Sequence, residues 1–321
     1  MYINGVGILL PNIKSMEEFD ELLMRQEELD DWCIEEPIKI QGKLKNRRID
    51  KFIKMAIYCC QNALKTRKAD LDAYDIGTVF NSIYGPEDSV VSFYKEVVDE
   101  EYEYCSPILF SNTVFNSALG NVCMNLNLKG YSDALMCGRY IEHALRLLKM
   151  KKVKACLACG IENICAEKRE ILKSEGMNLT EGAVALYLEE HKSTGTLAEI
   201  IDCESFYLNY TDKNKKYLFY VIDKFLKKNR ITINEIDIFI NCSYFEEMID
   251  FIDNSTETIV VDDKLGDTMG ASLGVSIVAG LRMLKLRQKL WALGIDYGHD
   301  GNITCYLLRN ELEDKDVIQG V

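Results

Sequence analysis

Proline and histidine are scarce in this chain, and positive charge is outnumbered. Only four prolines and three histidines occur in 321 residues, so helix-breaking positions are few and catalytic arrangements built on histidine are fewer still. With 38 Lys and Arg against 51 Asp and Glu, the net charge is −13. That balance excludes a nucleic-acid reader working by counterion release and disfavours docking on anionic membranes. Long apolar runs are lacking too: the stretch Thr268 to Leu281 is too short and too Gly-rich to cross a bilayer, which needs about 20 apolar residues. The opening run Met1 to Pro11 has no basic lead and is interrupted by Asn4, Gly5 and Gly7, so it reads as a strand and not a signal peptide. A phosphate loop is missing as well, because Gly266 to Gly270 has neither the Lys nor the spacing.

What is present is core material. Apolar residues make up 48% of the chain, enough for one large compact domain or two fused halves. Twelve cysteines are scattered, mostly inside apolar runs such as Cys59-Cys60, Cys123, Cys156 and Cys305. They read as reduced core residues of a cytoplasmic protein. The pair Cys156 and Cys159, with Cys165 beyond, lacks the second ligand pair that structural zinc requires, and it lies in an apolar strand pattern, so no metal is expected.

Strand-like runs alternate with helical periodicity over nearly the whole length, the pattern of a layered α/β protein. Phe52, Met55, Ala56, Cys59 and Ala63 fall at helical spacing, and Ile76 to Ile83 reads as a buried strand. Glu87 to Tyr104 reads as a polar, acidic stretch in which Asp99, Glu100, Glu101, Tyr102 and Glu103 look like a solvated connection. The most informative feature is a repeat: Ala144-Leu145-Arg146-Leu147-Leu148-Lys149-Met150-Lys151 matches Gly280-Leu281-Arg282-Met283-Leu284-Lys285-Leu286-Arg287. Each copy runs into a strand ending in Gly-Ile and an acid, Gly160-Ile161-Glu162 and Gly294-Ile295-Asp296. A duplicated half-domain accounts for this, with halves at 1–190 and 196–309 and a charged tail at 310–321.

Four stretches then stand in order. They are Ile3-Asn4-Gly5-Val6-Gly7 leading to Ser15 through Phe19; Ser106 to Gly120, with Pro107, Phe110 and Asn116; Glu181-Gly182-Ala183; and Leu265-Gly266-Asp267-Thr268-Met269-Gly270-Ala271-Ser272. Together they resemble the β-ketoacyl synthase branch of the thiolase-like superfamily: its opening strand and helix, its Pro-x-x-Phe stretch, its Glu-Gly-Ala strand and its Gly-His-Thr-x-Gly-Ala loop. The resemblance runs from about residue 2 to about residue 309. It implies a layered αβαβα fold made of two pseudo-twofold halves.

In that family a Cys nucleophile opens a buried helix, where amide dipoles stabilise the thiolate, and two His stabilise the enolate and oxyanion. Counting forward from Gly130-Tyr131-Ser132, which resembles the family's Gly-Pro-Ser, reaches Arg139; counting back from Gly160-Ile161-Glu162 reaches Ala134. Neither is Cys, and the segment is shortened. Cys137 lies between, near the start of the helix, as a residual nucleophile or a small core thiol. The first family His falls on Ser243 and the second on Asp267, whose ionised carboxylate cannot donate to an oxyanion. The family Lys has no counterpart, since Lys264 stands too close to Asp267. His143 reads as a packed or surface helix residue and His191 as solvated. His299 lies in Asp296 to Asn302, which is similar to the family's C-terminal pocket loop with Gly298 and Asn302, and it is the histidine that could approach Cys137. Gly270 belongs to the other pocket loop.

The resemblance therefore implies a catalytically degenerate ketosynthase-like subunit of a type II fatty-acid or polyketide/polyene synthase. Such a subunit shapes the acyl pocket as a chain-length factor, in a heterodimer with a ketosynthase or as a homodimer, with Ser106 to Gly120 facing the partner. No cofactor is implied beyond the phosphopantetheine arm of an acyl carrier protein. Two alternatives stay open: an atypical acyltransferase or condensing enzyme using Cys137, and a homodimeric protein binding an acyl chain or an acyl carrier. Lys43, Lys45, Arg47 and Arg48 are either a solvated helix entry or a docking patch for an acidic carrier.

Overall fold

The computed structural model describes residues 1–25, 33–34, 38–46, 48–67, 71–99, 105–175, 179–207, 215–242, 256–298 and 301–311; Arg47, Ser243, His299 and the tail from residue 312 lie outside these. Among the described residues five strands precede the polar turn around His191 and five follow it: β1 (Tyr2–Leu9), β2 (Ile76–Asn81), β3 (Ser132–Leu135), β4 (Ala155–Glu162), β5 (Gly182–Glu189), then β6 (Ala198–Tyr207), β7 (Ile238–Cys242), β8 (Glu257–Val260), β9 (Trp291–Tyr297) and β10 (Asn302–Arg309). Among the described residues the helices are α1 (Met16–Met24), α2 (Lys51–Ala63), α3 (Glu87–Asp99), α4 (Pro107–Asn112), α5 (Ser117–Leu126), α6 (Tyr140–Lys149), α7 (Ala166–Ser174), α8 (Lys215–Lys228), α9 (Asp262–Leu265) and α10 (Ser272–Arg287).

The sheet order is β3-β2-β4-β5-β1-β6-β10-β9-β7-β8. Outward from the β1–β6 junction, the second half repeats the first with every strand number raised by five. The strand senses repeat too: β5 is antiparallel to β1 and β4, with β4, β2 and β3 parallel, and β10 is antiparallel to β6 and β9, with β9, β7 and β8 parallel. The sequence repeat is the same relation seen locally, since α6 feeds β4 as α10 feeds β9.

Strand side chains alternate between faces, and here both faces are covered. Cys156 and Ala158 of β4 join a central core with α6 and α10, while Ala155, Leu157 and Cys159 of the same strand face α2 and α5. In the second half Ile238 and Ile240 face α10, whereas Phe239, Leu293, Ile303 and Leu307 pack under α8. The layers run helix, sheet, helix, sheet, helix, the αβαβα arrangement expected from the resemblance. Helix α10 with the turn before it, Met269–Arg287, is long and apolar enough to cross a membrane, longer than the apolar stretch read from sequence. It is nevertheless 83% buried inside the protein, as a central-layer helix must be.

Two details explain the opening motif. Asn4 is fully buried at an irregularity of β1; its amide donates to Glu189 Oε2 (2.5 Å) and to the His191 carbonyl (3.0 Å), and it accepts from Thr196 Oγ1 (2.6 Å). It thus ties β1 to the turn joining the halves, while the side chain of His191 stays exposed. Gly5 and Gly7 let the backbone of α2 lie directly on β1.

The first part of the acidic stretch, Glu87 to Asp99, is helix α3, favoured by Glu87 and Asp88 in its first turn, where carboxylates complement the helix dipole; the connection read at Asp99 to Glu103 falls, beyond Asp99, outside the described residues. Phe93 packs on Phe110 of α4 at 5.3 Å between ring centroids, a tertiary contact that a one-dimensional scan does not show. Helix α4 begins with Pro107, capped by Ser106 Oγ accepting from Leu109 N. All twelve cysteines are free thiols, and Cys156 and Cys159 are fully buried in β4.

Candidate functional site

The repeat supplies a ruler for the nucleophile segment. Ala144 stands opposite Gly280, so Met136 stands opposite Ser272, where α10 begins; α6 begins only at Tyr140, four residues later. About one turn of the first-half helix is missing. Met136 to Arg139 instead form an irregular turn in which Gly138 takes φ +65°, a left-handed conformation that suits glycine. Cys137 therefore lies ahead of the helix and not on it, with Arg139 at the N-cap. The amide dipoles of the helix end act within about its first turn, so little of their field falls on this half-buried thiol. Arg139 is held to Glu142 and reaches the Ser205 carbonyl, and Ala134 sits inside edge strand β3.

The family segments converge on one cleft. Gly138, Asp267, Gly298 and Asn302 line it together with Ser272 and Asp296, around a cavity of about 20 Å³, room for roughly one water. The Asn302 side chain donates to the Cys137 carbonyl at 3.4 Å, so the C-terminal loop does lie against the Cys137 turn. His143, by contrast, faces outward, with Nε2 3.3 Å from Tyr131 Oη and 3.4 Å from Asp133 Oδ2.

The electrostatics of the cleft are acidic. Asp267 is buried and Oδ1 accepts from the Met269 amide at 2.6 Å; Asp296 Oδ1 accepts from Ser272 Oγ. Burial pushes the Asp262 carboxyl well above the usual range, and the charges of Asp267 and Asp296 push it further. Acids such as Asp267 and Asp296 lining the cleft are the opposite of what a developing oxyanion needs. Because the folded-state pKa of Asp262 is raised, its ionisation costs stability that is lost as pH climbs above the unfolded value of 3.8. Asp262→Asn is therefore expected to melt with wild type near pH 4 and above it near about pH 8. Thermal melts at both pH values check this; a variant less stable at both would refute the crowding.

Beneath the cleft, the loop Asp267 to Ala271 wedges into the first half. Gly270 N–H donates to Glu162 Oε2 (3.3 Å), and its carbonyl accepts from Asn81 Nδ2 (3.0 Å). Glu162 also accepts from Ser82 Oγ, Ile83 N and Tyr84 N. Its full burial nonetheless raises the carboxyl pKa to about 7. Sequence reading marked Glu162 only as the end of a repeat; its partners come from two distant segments, Ser82 to Tyr84 and Gly270. The basic patch lies elsewhere: Lys43, Lys45 and Arg48 are exposed ahead of α2, with Lys45 Nζ on the Met124 carbonyl at 2.5 Å. Among the described residues no group of three or more His, Cys, Asp or Glu is placed to hold a metal ion.

No family model matches the sequence, and no curated protein does. Solved structures match strongly. The ishigamide ketosynthase/chain length factor superposes with a TM-score of 0.81 at 17% identity, covering 96% of this chain and 99% of that one. A type II polyketide synthase acyl-carrier protein in complex with its ketosynthase bound to the hexaketide gives 0.80 at 15% identity, covering 96% and 99%. A beta-ketoacyl synthase from Burkholderia phymatum gives 0.75 at 13% identity, covering 96% and 98%. With the mirrored strand order and the central pair α6 and α10, these matches establish that the chain has the thiolase-like fold of the ketosynthases along 96% of its length.

Proposed function

We propose that this chain is a catalytically degenerate ketosynthase-like subunit, cytoplasmic, that pairs with an active ketosynthase and shapes its acyl pocket in the manner of a chain-length factor. The observation that carries the reading is the lost first turn of α6, which leaves Cys137 without a helix end to activate it. Asp267 and its acidic neighbours support it, as does the likeness to a structure named for a ketosynthase/chain length factor. On this reading the partner supplies the nucleophile and both histidines, and Ser106 to Gly120 faces it. The acidic carrier protein, with its phosphopantetheine arm, docks on the exposed cations Lys43, Lys45 and Arg48, since like charge over the rest of a −13 surface repels it.

Purified alone, the chain is expected to show no decarboxylation of a malonyl thioester. Co-expressed with the ketosynthase of its own source, it is expected to form a 1:1 complex by size exclusion and mass, and its removal is expected to change product length or enzyme solubility. Turnover by the chain alone, or indifference to every ketosynthase offered, refutes the proposal. The contact of Asn302 with the Cys137 turn favours one competing reading, a condensing enzyme using Cys137. That reading requires selective labelling of Cys137 by iodoacetamide and loss of thioester chemistry in Cys137→Ala.

A further inference from the structure

Asn81 ends β2 and is 1% exposed, yet its carboxamide belongs to neither half alone. Oδ1 accepts from the Gly138 amide at 3.0 Å, and Nδ2 donates to the Gly270 carbonyl at 3.0 Å. The two bonds fix the orientation of the amide, because a flip would set oxygen against the carbonyl and NH2 against N–H. Gly138 follows Cys137 and lines the cleft, and Gly270 closes the second-half loop that carries Asp267. A single side chain therefore pins the unwound turn to the opposing loop. It also occupies the backbone N–H next to Cys137, a group that could otherwise turn toward a ligand carbonyl.

We infer that Asn81 is a latch that holds the cleft shut, tying the Cys137–Gly138 turn to the Gly270 loop and keeping the space at the size of a water. The inference deepens the proposed function and rests on it for its meaning: a latched subunit leaves the growing acyl chain to the partner. No covalent chemistry is involved. Buried carboxamides that satisfy both donor and acceptor are costly to lose, because the stranded backbone groups face a site with little water.

The latch is tested first in the unaltered chain. Amide hydrogen exchange resolved at single residues is expected to show Gly138 protected by at least about tenfold relative to Met136 and Cys137; an unprotected Gly138 overturns the inference without any variant. In Asn81→Ala, Gly138 protection is expected to vanish and iodoacetamide labelling of Cys137, read by peptide mass spectrometry, to quicken by at least about tenfold, while β4 amides keep their protection. Asn81→Ser, which can replace at most one of the two bonds, is expected to change both readouts in the same direction by less, and it decides the matter if the alanine variant does not fold. Unchanged Cys137 labelling in a folded variant overturns the latch. Failure of the partner experiment with the latch intact would instead count against the proposed function alone.

Discussion

Gly7→Ala is expected to destabilise the protein by about 4 kcal/mol or more, the range reserved for changes the structure cannot absorb. A Cβ at this position would sit 1.9 Å from the Cys59 carbonyl oxygen and 2.9 Å from Cys59 Cα. The obstacle is helix backbone, so no rotamer change relieves it; α2 would have to lift off β1. Doing so would expose Phe52, Met55, Ala56 and Cys59, which are buried on the outer face of the first-half sheet. Gly5 stands under the same constraint, 2.1 Å from the Ala63 oxygen. Urea unfolding of the variant against wild type measures the loss, and a difference below about 1 kcal/mol would show that the helix does not seat on the strand as described.

Glu162→Gln is expected to cost about 2 to 4 kcal/mol at acid pH and progressively less as pH rises. Oε1 accepts from Ser82 Oγ and Tyr84 N, and Oε2 from Ile83 N and Gly270 N. At acid pH the neutral acid carries one O–H of its own, but its hydroxyl oxygen can still accept; the NH2 of glutamine accepts from neither member of a pair, so donors face donors in a buried site. The pH dependence has a definite sign. The carboxyl pKa is near 7 in the folded state, raised by burial despite the hydrogen bonds, against 4.5 unfolded. Its proton thus favours the native state below 4.5, and that advantage, about 3 kcal/mol at most, is lost between 4.5 and 7. Wild type should lose stability across this window while the Gln variant does not, so the gap between them narrows toward neutral pH. Other acids, Asp262 among them, titrate in both proteins and largely cancel in the difference. A gap that is constant with pH would show that Glu162 does not titrate as its burial requires.

These two positions also show how much was legible beforehand. The glycines of the opening motif and the acid closing the repeat were both visible as residues, but their purposes were not. Gly7 matters because of α2, more than forty positions away, and Glu162 because Ser82 and Gly270 converge on it from opposite sides. The repeat itself was readable, since helix and strand of each half bury the same faces and so carry the same apolar spacing. Helix α3 reads only as a polar stretch because its acids find partners on distant segments, Glu87 with Lys168 and Asp88 with Asn163, and Phe93 packs on Phe110 of α4, neighbours that periodicity does not reveal. The candidate site was half legible. Asp267 stood where the family's loop has His, but counting from two ends gave Arg139 and Ala134, because a missing helical turn makes the two counts disagree. Only the backbone shows where the loss falls: between Met136 and Arg139, leaving Cys137 ahead of the helix.

The sequence by itself determined the acidic charge, the reduced cysteines, the alternation of helix and strand and the duplication, because each depends on composition or on spacing along one element. The tertiary structure decided which faces met: that ten strands form one sheet with mirrored order, that Asp267 and Asp296 line a water-sized cleft, and that Asn81 ties two of its loops together. Those are contacts between residues up to 189 positions apart, set by packing the two halves of the sheet about a shared helical layer, and no local pattern encodes them.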